Sequence, residues 1–150
     1  MSSFVVICNR QRKLRFDLPF IQAIAEAALP ACQSTLKSRG APLGRLKEIE
    51  ATILGNPAIA KVHRDFFDDP TPTDVITFPY GEILIGAGVV CENAALFGNT
   101  PSEEAALCVV HGFLHLAGWS DQTARAAKDM ARKQEQIFKM ARRMVCSRNQ

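Results

Sequence analysis

The spacing H-x-x-x-H-x-x-G-x-x-D, running from His111 to Asp121, limits this chain more than any other stretch of it. It asks for a helix that ends on a turn, with side chains from both sides of the turn meeting at one point. Residues four apart on a helix stand one above the other with Cβ atoms about 5–6 Å apart, so two imidazoles can reach one ion at roughly 2.0–2.1 Å. His111 and His115 are such a pair. Gly118 follows, where a glycine can take the left-handed conformation that ends a helix and reverses the chain. Asp121 then arrives as a third ligand. An HxxxH alone is commonly accidental or structural; the glycine and the carboxylate at these offsets turn the reading toward a metal.

The spacing is that of the extended zinc motif of metalloproteases, with Asp121 for the third His and Gly112 where those enzymes carry their general-base Glu. The cradle for a metal is there and the peptidase base is not. Cys108 lies on the same helix as a possible soft ligand, but at 1.5 Å rise per residue it stands roughly 10 Å along the axis from His115. It reads as a small buried hydrophobe.

With 150 residues, 47% of them hydrophobic and 22% charged, the chain reads as one domain, 1–150, with its own core. Five cysteines without a CxxC indicate neither a disulfide framework nor a cysteine zinc site, and fit a reducing cytosol. The first residues are a short apolar run followed by basic ones, the reverse of a signal peptide. No window approaches about 18 uninterrupted apolar residues. A soluble, cytoplasmic protein with no membrane partner is expected. The net charge of +3 is unevenly spread, because the stretch 123–150 holds eight Lys or Arg against Asp129 and Glu135. A second basic cluster is Arg10, Arg12, Lys13 and Arg15. Such blocks favour polyanions, nucleic acid first, although a solvated helix face would look the same.

Taken in order, Phe4–Cys8 predicts a strand, and Asp17 caps a helix from Leu18 to about Lys37, with a break or kink at Pro30. A loop over 38–44 precedes a strand over Leu46–Leu54, and Gly55, Asn56 and Pro57 open a short helix to about Phe67. A turn at 68–72 leads to a strand at Val75–Phe78, a further strand over Glu82–Val90 and a helical turn over Cys91–Phe97. Thr100, Pro101 and Glu103 make a capping box for the metal helix, whose apolar stripe is Leu107, Val110, Leu114 and Ala117. From Thr123 a long helix carries Ala127, Met130, Ile137, Ala141 and Met144 at apolar spacing, interrupted by Gln134. The mixture implies an α+β domain with helices packed on a small mixed β-sheet.

With these residues in hand, the sequence resembles the YbeY family of bacterial endoribonucleases, also called rRNA maturation factors. The resemblance is sharpest at HGFLHLAGWSD, against a family pattern H-G-x-L-H-L-x-G-Y-D-H. It puts the family's metal ligands on His111, His115 and Asp121, with Ser120 replacing the usual Asp and Asp121 the usual third His. A second block is PTDVITFP, Pro72 to Pro79, followed by Gly81, Glu82 and Ile83. His63 and Arg64 look like the family's aromatic-Arg pair, which puts its functional Arg on Arg64; taken alone, Arg64 would be a surface charge. The resemblance implies a metalloprotease-like fold, one zinc ion, and cleavage of single-stranded RNA in ribosomal RNA maturation and ribosome quality control. It also implies the ribosome, through its small subunit, as a partner.

On this reading His111 and Arg64 are catalytic, Arg64 stabilises charge on the phosphorus, and Arg64, Arg142 and Arg143 bind the substrate backbone. Metal-activated water or metal-assisted attack by the RNA 2′-OH would open the phosphodiester, with Glu82 or Asp74 as alternative bases. A carboxylate third ligand also admits manganese or iron. The rivals are a zinc metallopeptidase, against which the missing Glu at position 112 counts, and a non-catalytic ribosome-assembly factor with a structural metal.

Overall fold

A computed structural model describes residues 3–148. Four strands, β1 (Phe4–Asn9), β2 (Glu48–Leu54), β3 (Val75–Phe78) and β4 (Glu82–Gly86), form one sheet in the order β1-β2-β4-β3. The first three in that order are parallel, and β3 returns antiparallel to β4 as an edge strand, with Val75 opposite Ile85 and Phe78 opposite Glu82. Five helices surround it: α1 (Leu18–Gln33), α2 (Asn56–Phe67), α3 (Ala87–Phe97), α4 (Pro101–Leu116) and α5 (Ala124–Arg148). This is the expected α+β domain on a small mixed sheet.

Strand side chains alternate between the two faces, and β4 uses both. Ile83 and Ile85 join the main core with α1, α4 and α5, whereas Leu84 packs with Ile76 and Ile59 of α2. A central strand covered on both faces reads as a continuous apolar run. That is why the sequence suggests a strand through Val90, and here the structure differs: β4 stops at Gly86 and α3 starts at Ala87, not Cys91. Gly86 caps α3 with no side-chain bond, so no polar capping signal marks the change.

The predicted Asp17 cap is present, its carboxylate accepting from the Phe20 N–H, but α1 runs through Pro30 without the expected break and ends at Gln33 rather than Lys37. A proline one turn from the end forfeits only one hydrogen bond. On α5 the buried stripe is Met130, Ile137, Phe138, Ala141 and Val145, and Met144 faces outward. Among the described residues no helix is long and apolar enough to cross a membrane.

Candidate metal centre

Helix α4 starts on the predicted capping box: Thr100 Oγ1 accepts from the Glu103 N–H, and Glu103 Oε1 accepts from the Thr100 N–H. The same Glu103 carboxylate meets Arg142 Nη1 at 2.8 Å, tying α5 to this start. Along α4, Val109, Val110, Phe113 and Leu114 are wholly buried. Truncating a buried phenylalanine such as Phe113 costs about 3–5 kcal/mol, so the helix that carries the two histidines is firmly held.

It ends on a Schellman turn. The Trp119 N–H donates to the Leu114 carbonyl at 2.9 Å and the Gly118 N–H to the His115 carbonyl at 3.0 Å, with Gly118 at φ +95°. A residue with a Cβ is strained there. The turn brings Asp121 back over the helix, where its Oδ2 lies 3.4 Å from His115 Nε2 and 3.8 Å from His111 Nε2. One ligand atom from each of the three residues falls within 4.8 Å of the others. Two donors bonded to one tetrahedral ion at about 2.0–2.1 Å stand about 3.4 Å apart, so the donor set fits a divalent cation.

Both rings are held by their second nitrogen. The Trp119 carbonyl, which can only accept, takes the Nδ1–H of His115 at 3.1 Å, and Gln134 Oε1 takes that of His111 at 2.8 Å. In a neutral ring so held, Nε2 carries its lone pair toward Asp121, the tautomer a metal needs. Burial holds the His111 imidazole below its ordinary value; the Gln134 bond opposes this, the His115 ring adds to it, and the Asp121 and Asp74 carboxylates oppose it. The ring is thus kept neutral and ready to ligate near neutral pH. In the sequence Gln134 shows only as a break in the apolar stripe of α5. Outer partners of this kind are typically worth 10–100-fold in metal affinity, so Gln134→Leu is expected to weaken zinc binding by about that factor with the fold intact. Competition titration against a chromogenic chelator measures it, and unchanged affinity would remove Gln134 from the centre.

The triad lines a cleft of about 670 Å³. Edge strand β3 and the segment before it line one wall with Thr73, Asp74 and Thr77, while α2 contributes His63 and Phe67. Thr77 Oγ1 is a buried hydroxyl without a hydrogen-bond partner among the described residues. Asp74 has one oxygen held by the Val75 N–H at 2.8 Å. Cys108 also borders the cleft, but burial pushes its thiol well above the ordinary value, with Asp74 and Glu104 adding to the shift. It stays protonated, as a buried hydrophobe would.

The other residues singled out in the sequence are spread more widely. His63 faces the cleft with Nδ1 bonded to the Thr71 carbonyl at 2.7 Å and Nε2 3.9 Å from Asp69, apart from the triad. Arg64, on the same helix, is exposed with Nε 3.2 Å from Asp65, and is not among the residues lining the cleft. Glu82 accepts from the Tyr80 hydroxyl and lies outside the lining too. Arg143 is exposed on α5, while Arg142 is engaged with Glu103. Gly112 backs onto β4: a Cβ added there would lie 2.6 Å from Ile83 Cδ1. A peptidase's glutamate at that position would have to displace the buried Ile83 side chain.

Comparison with known proteins places the chain in a family. The family model described as Endoribonuclease YbeY matches residues 6–142. An Endoribonuclease YbeY of Protochlamydia amoebophila is 32% identical over 124 residues, covering 75% of this chain and 76% of that protein. Another, of Moorella thermoacetica, is 29% identical over 136 residues, covering 77% and 87%. A solution structure of a Thermotoga maritima protein shares the fold with a TM-score of 0.66 at 24% identity, over 97% of this chain and 93% of the other. The chain belongs to the Endoribonuclease YbeY family.

Proposed function

We propose that this protein is a metal-dependent endoribonuclease that cuts single-stranded RNA in the cytoplasm, during ribosomal RNA maturation and ribosome quality control at the small subunit. The observation that carries the reading is the convergence of His111 Nε2, His115 Nε2 and Asp121 Oδ2 in the lining of an open cleft. A divalent ion held by those three, zinc or with this carboxylate manganese or iron, supplies Lewis acidity at a phosphodiester and an acidified water.

The chain's own residues do the rest. Gln134 and the Trp119 carbonyl keep both imidazoles aimed at Asp121. Asp74, whose Oδ1 accepts from the Val75 N–H and the Thr73 hydroxyl, borders the cleft and is suited to take the proton of the attacking hydroxyl or water. Glu82 is engaged by Tyr80 and is the weaker candidate. Arg64, next to His63 of the cleft lining but itself exposed and paired with Asp65, would have to leave Asp65 to bring its planar guanidinium to the phosphate. Arg143, and Arg142 beside its Glu103 partner, would track the RNA backbone farther out.

The deciding experiment incubates metal-loaded protein with unstructured RNA, structured RNA and casein. Products from unstructured RNA alone, suppressed by a chelator, are expected. Peptide products would point to the metallopeptidase, and no products to an assembly factor with a structural metal; either overturns the proposal. Arg64→Ala is expected to keep full metal content and fold while losing RNA cleavage. Wild-type cleavage by that variant, in single-turnover assays, would take Arg64 out of the reaction.

A further inference from the structure

A second hollow, of about 240 Å³, is bounded by Lys37, Trp119, Asp129, Arg132, Lys133 and Gln136. Three cations meet there against one carboxylate. Among the described residues none of the three is ion-paired. Lys37 Nζ sits 3.9 Å above the Trp119 ring and Lys133 Nζ 6.0 Å from its centroid, so the indole face draws both ammoniums to one place. The ring itself is fixed, its Nε1–H donating to the Thr35 carbonyl at 3.0 Å. Lys37 is fixed at its backbone, where its N–H donates to the Ala117 carbonyl. Three like charges held around a single carboxylate, Asp129, leave an excess of positive charge that an anion would relieve.

We propose that this hollow binds a backbone phosphate of a single-stranded nucleic acid, as a subsite beside the metal cleft. The proposal rests on the endoribonuclease reading for the identity of the strand. What links the two sites is one turn of chain: Trp119 lends its ring to the hollow and its carbonyl to His115, and on α5 Lys133 precedes Gln134, which holds His111. Phosphates recur along a strand, so a strand crossing the triad presents its neighbouring phosphates to whatever cations flank it. The hollow supplies those cations on rigid elements rather than on a tail.

Trp119 is the only tryptophan in the chain, so its fluorescence reports on the turn that carries it. A short oligothymidylate, which carries the phosphates but not the 2′-hydroxyl, is titrated into the full-length protein, and binding is followed by Trp119 emission and by anisotropy of the labelled strand. A saturable change in emission is expected, weakening with salt. In the Lys37→Gln, Lys133→Gln variant the log–log salt slope is expected to fall by about 0.7 for each phosphate that is no longer neutralised. Arg12→Gln with Lys13→Gln, at the other basic cluster, is expected to leave the emission change intact. Unchanged affinity and slope in the Lys37, Lys133 variant would overturn the proposal, as would no emission change on binding. Inorganic phosphate at matched phosphate concentration producing the same change would assign the hollow to free phosphate and overturn the strand. Because this assay involves no turnover, its failure leaves the cleavage reading standing, and failure of cleavage leaves the binding result standing.

Discussion

The double substitution His111→Ala, His115→Ala is expected to abolish zinc binding and RNA cleavage together, because it removes two of the three donors that the α4 turn brings to one point. Elemental analysis of the purified protein gives the metal content directly. Thermal unfolding gives a second reading: a ligand that binds only the folded state adds about 2.7 kcal/mol at a hundred times its dissociation constant. Added zinc is therefore expected to raise the midpoint of the natural protein and leave that of the double variant unmoved. Asp121→Ala is expected to weaken metal binding markedly, and Asp121→His to keep a working centre that favours zinc. His63→Ala leaves metal binding almost untouched, since that ring is bonded to Thr71 and faces Asp69. Full zinc occupancy in the double variant would sink the centre, and loss of zinc in His63→Ala would sink the ligand assignment.

How much of this can be read from the sequence depends on how local each signal is. The capping box at Thr100, the four-residue spacing of the histidines and the glycine that closes α4 all lie within about twenty residues, and each follows from the geometry of one helix and its ends. The triad is legible for that reason. Gln134 is visible only as a flaw in an apolar stripe, because its partner His111 is 23 residues away and meets it only once α5 has docked on α4. A polar residue at a core-facing position of an otherwise regular stripe is the available signal, and it marks a bond to the site. The cleft wall is hidden as well. Which of His63 and Arg64 faces the cleft is set by how α2 rolls against Leu84 and Ile76, and adjacent positions on a helix point about 100° apart. The end of β4 escapes the sequence because an apolar run suits a doubly covered strand and the start of a buried helix equally well.

Gly86, at that boundary, is the glycine where an added Cβ would make the closest approach to another atom. Its backbone is ordinary, at φ −88° and ψ 106°, so conformational freedom is not the reason for a glycine here. Space is: a Cβ would fall 2.0 Å from the Thr73 carbonyl oxygen and 3.3 Å from Ile59 Cδ1. The Gly86 N–H also donates to the Asp74 carbonyl at 2.7 Å, so this close approach is what holds the Thr73–Asp74 segment against the sheet and Asp74 toward the cleft. A side-chain tip could swing aside, but a backbone carbonyl takes its strand with it. Gly86→Ala is therefore expected to cost about 3 kcal/mol, the upper range for overpacking, which for a chain of this length lowers the unfolding midpoint by roughly 6–12 °C. Gly40→Ala is the control: it has nothing within 4 Å of an added Cβ, and it should be neutral or slightly stabilising. In the folded fraction of Gly86→Ala, zinc content should stay at the natural level while RNA cleavage falls, because the displaced segment carries Asp74 and none of the three ligands. Equal midpoints for the two alanine variants would mean that the Thr73 backbone yields freely, and natural cleavage by Gly86→Ala would mean that Asp74 takes no part in the chemistry.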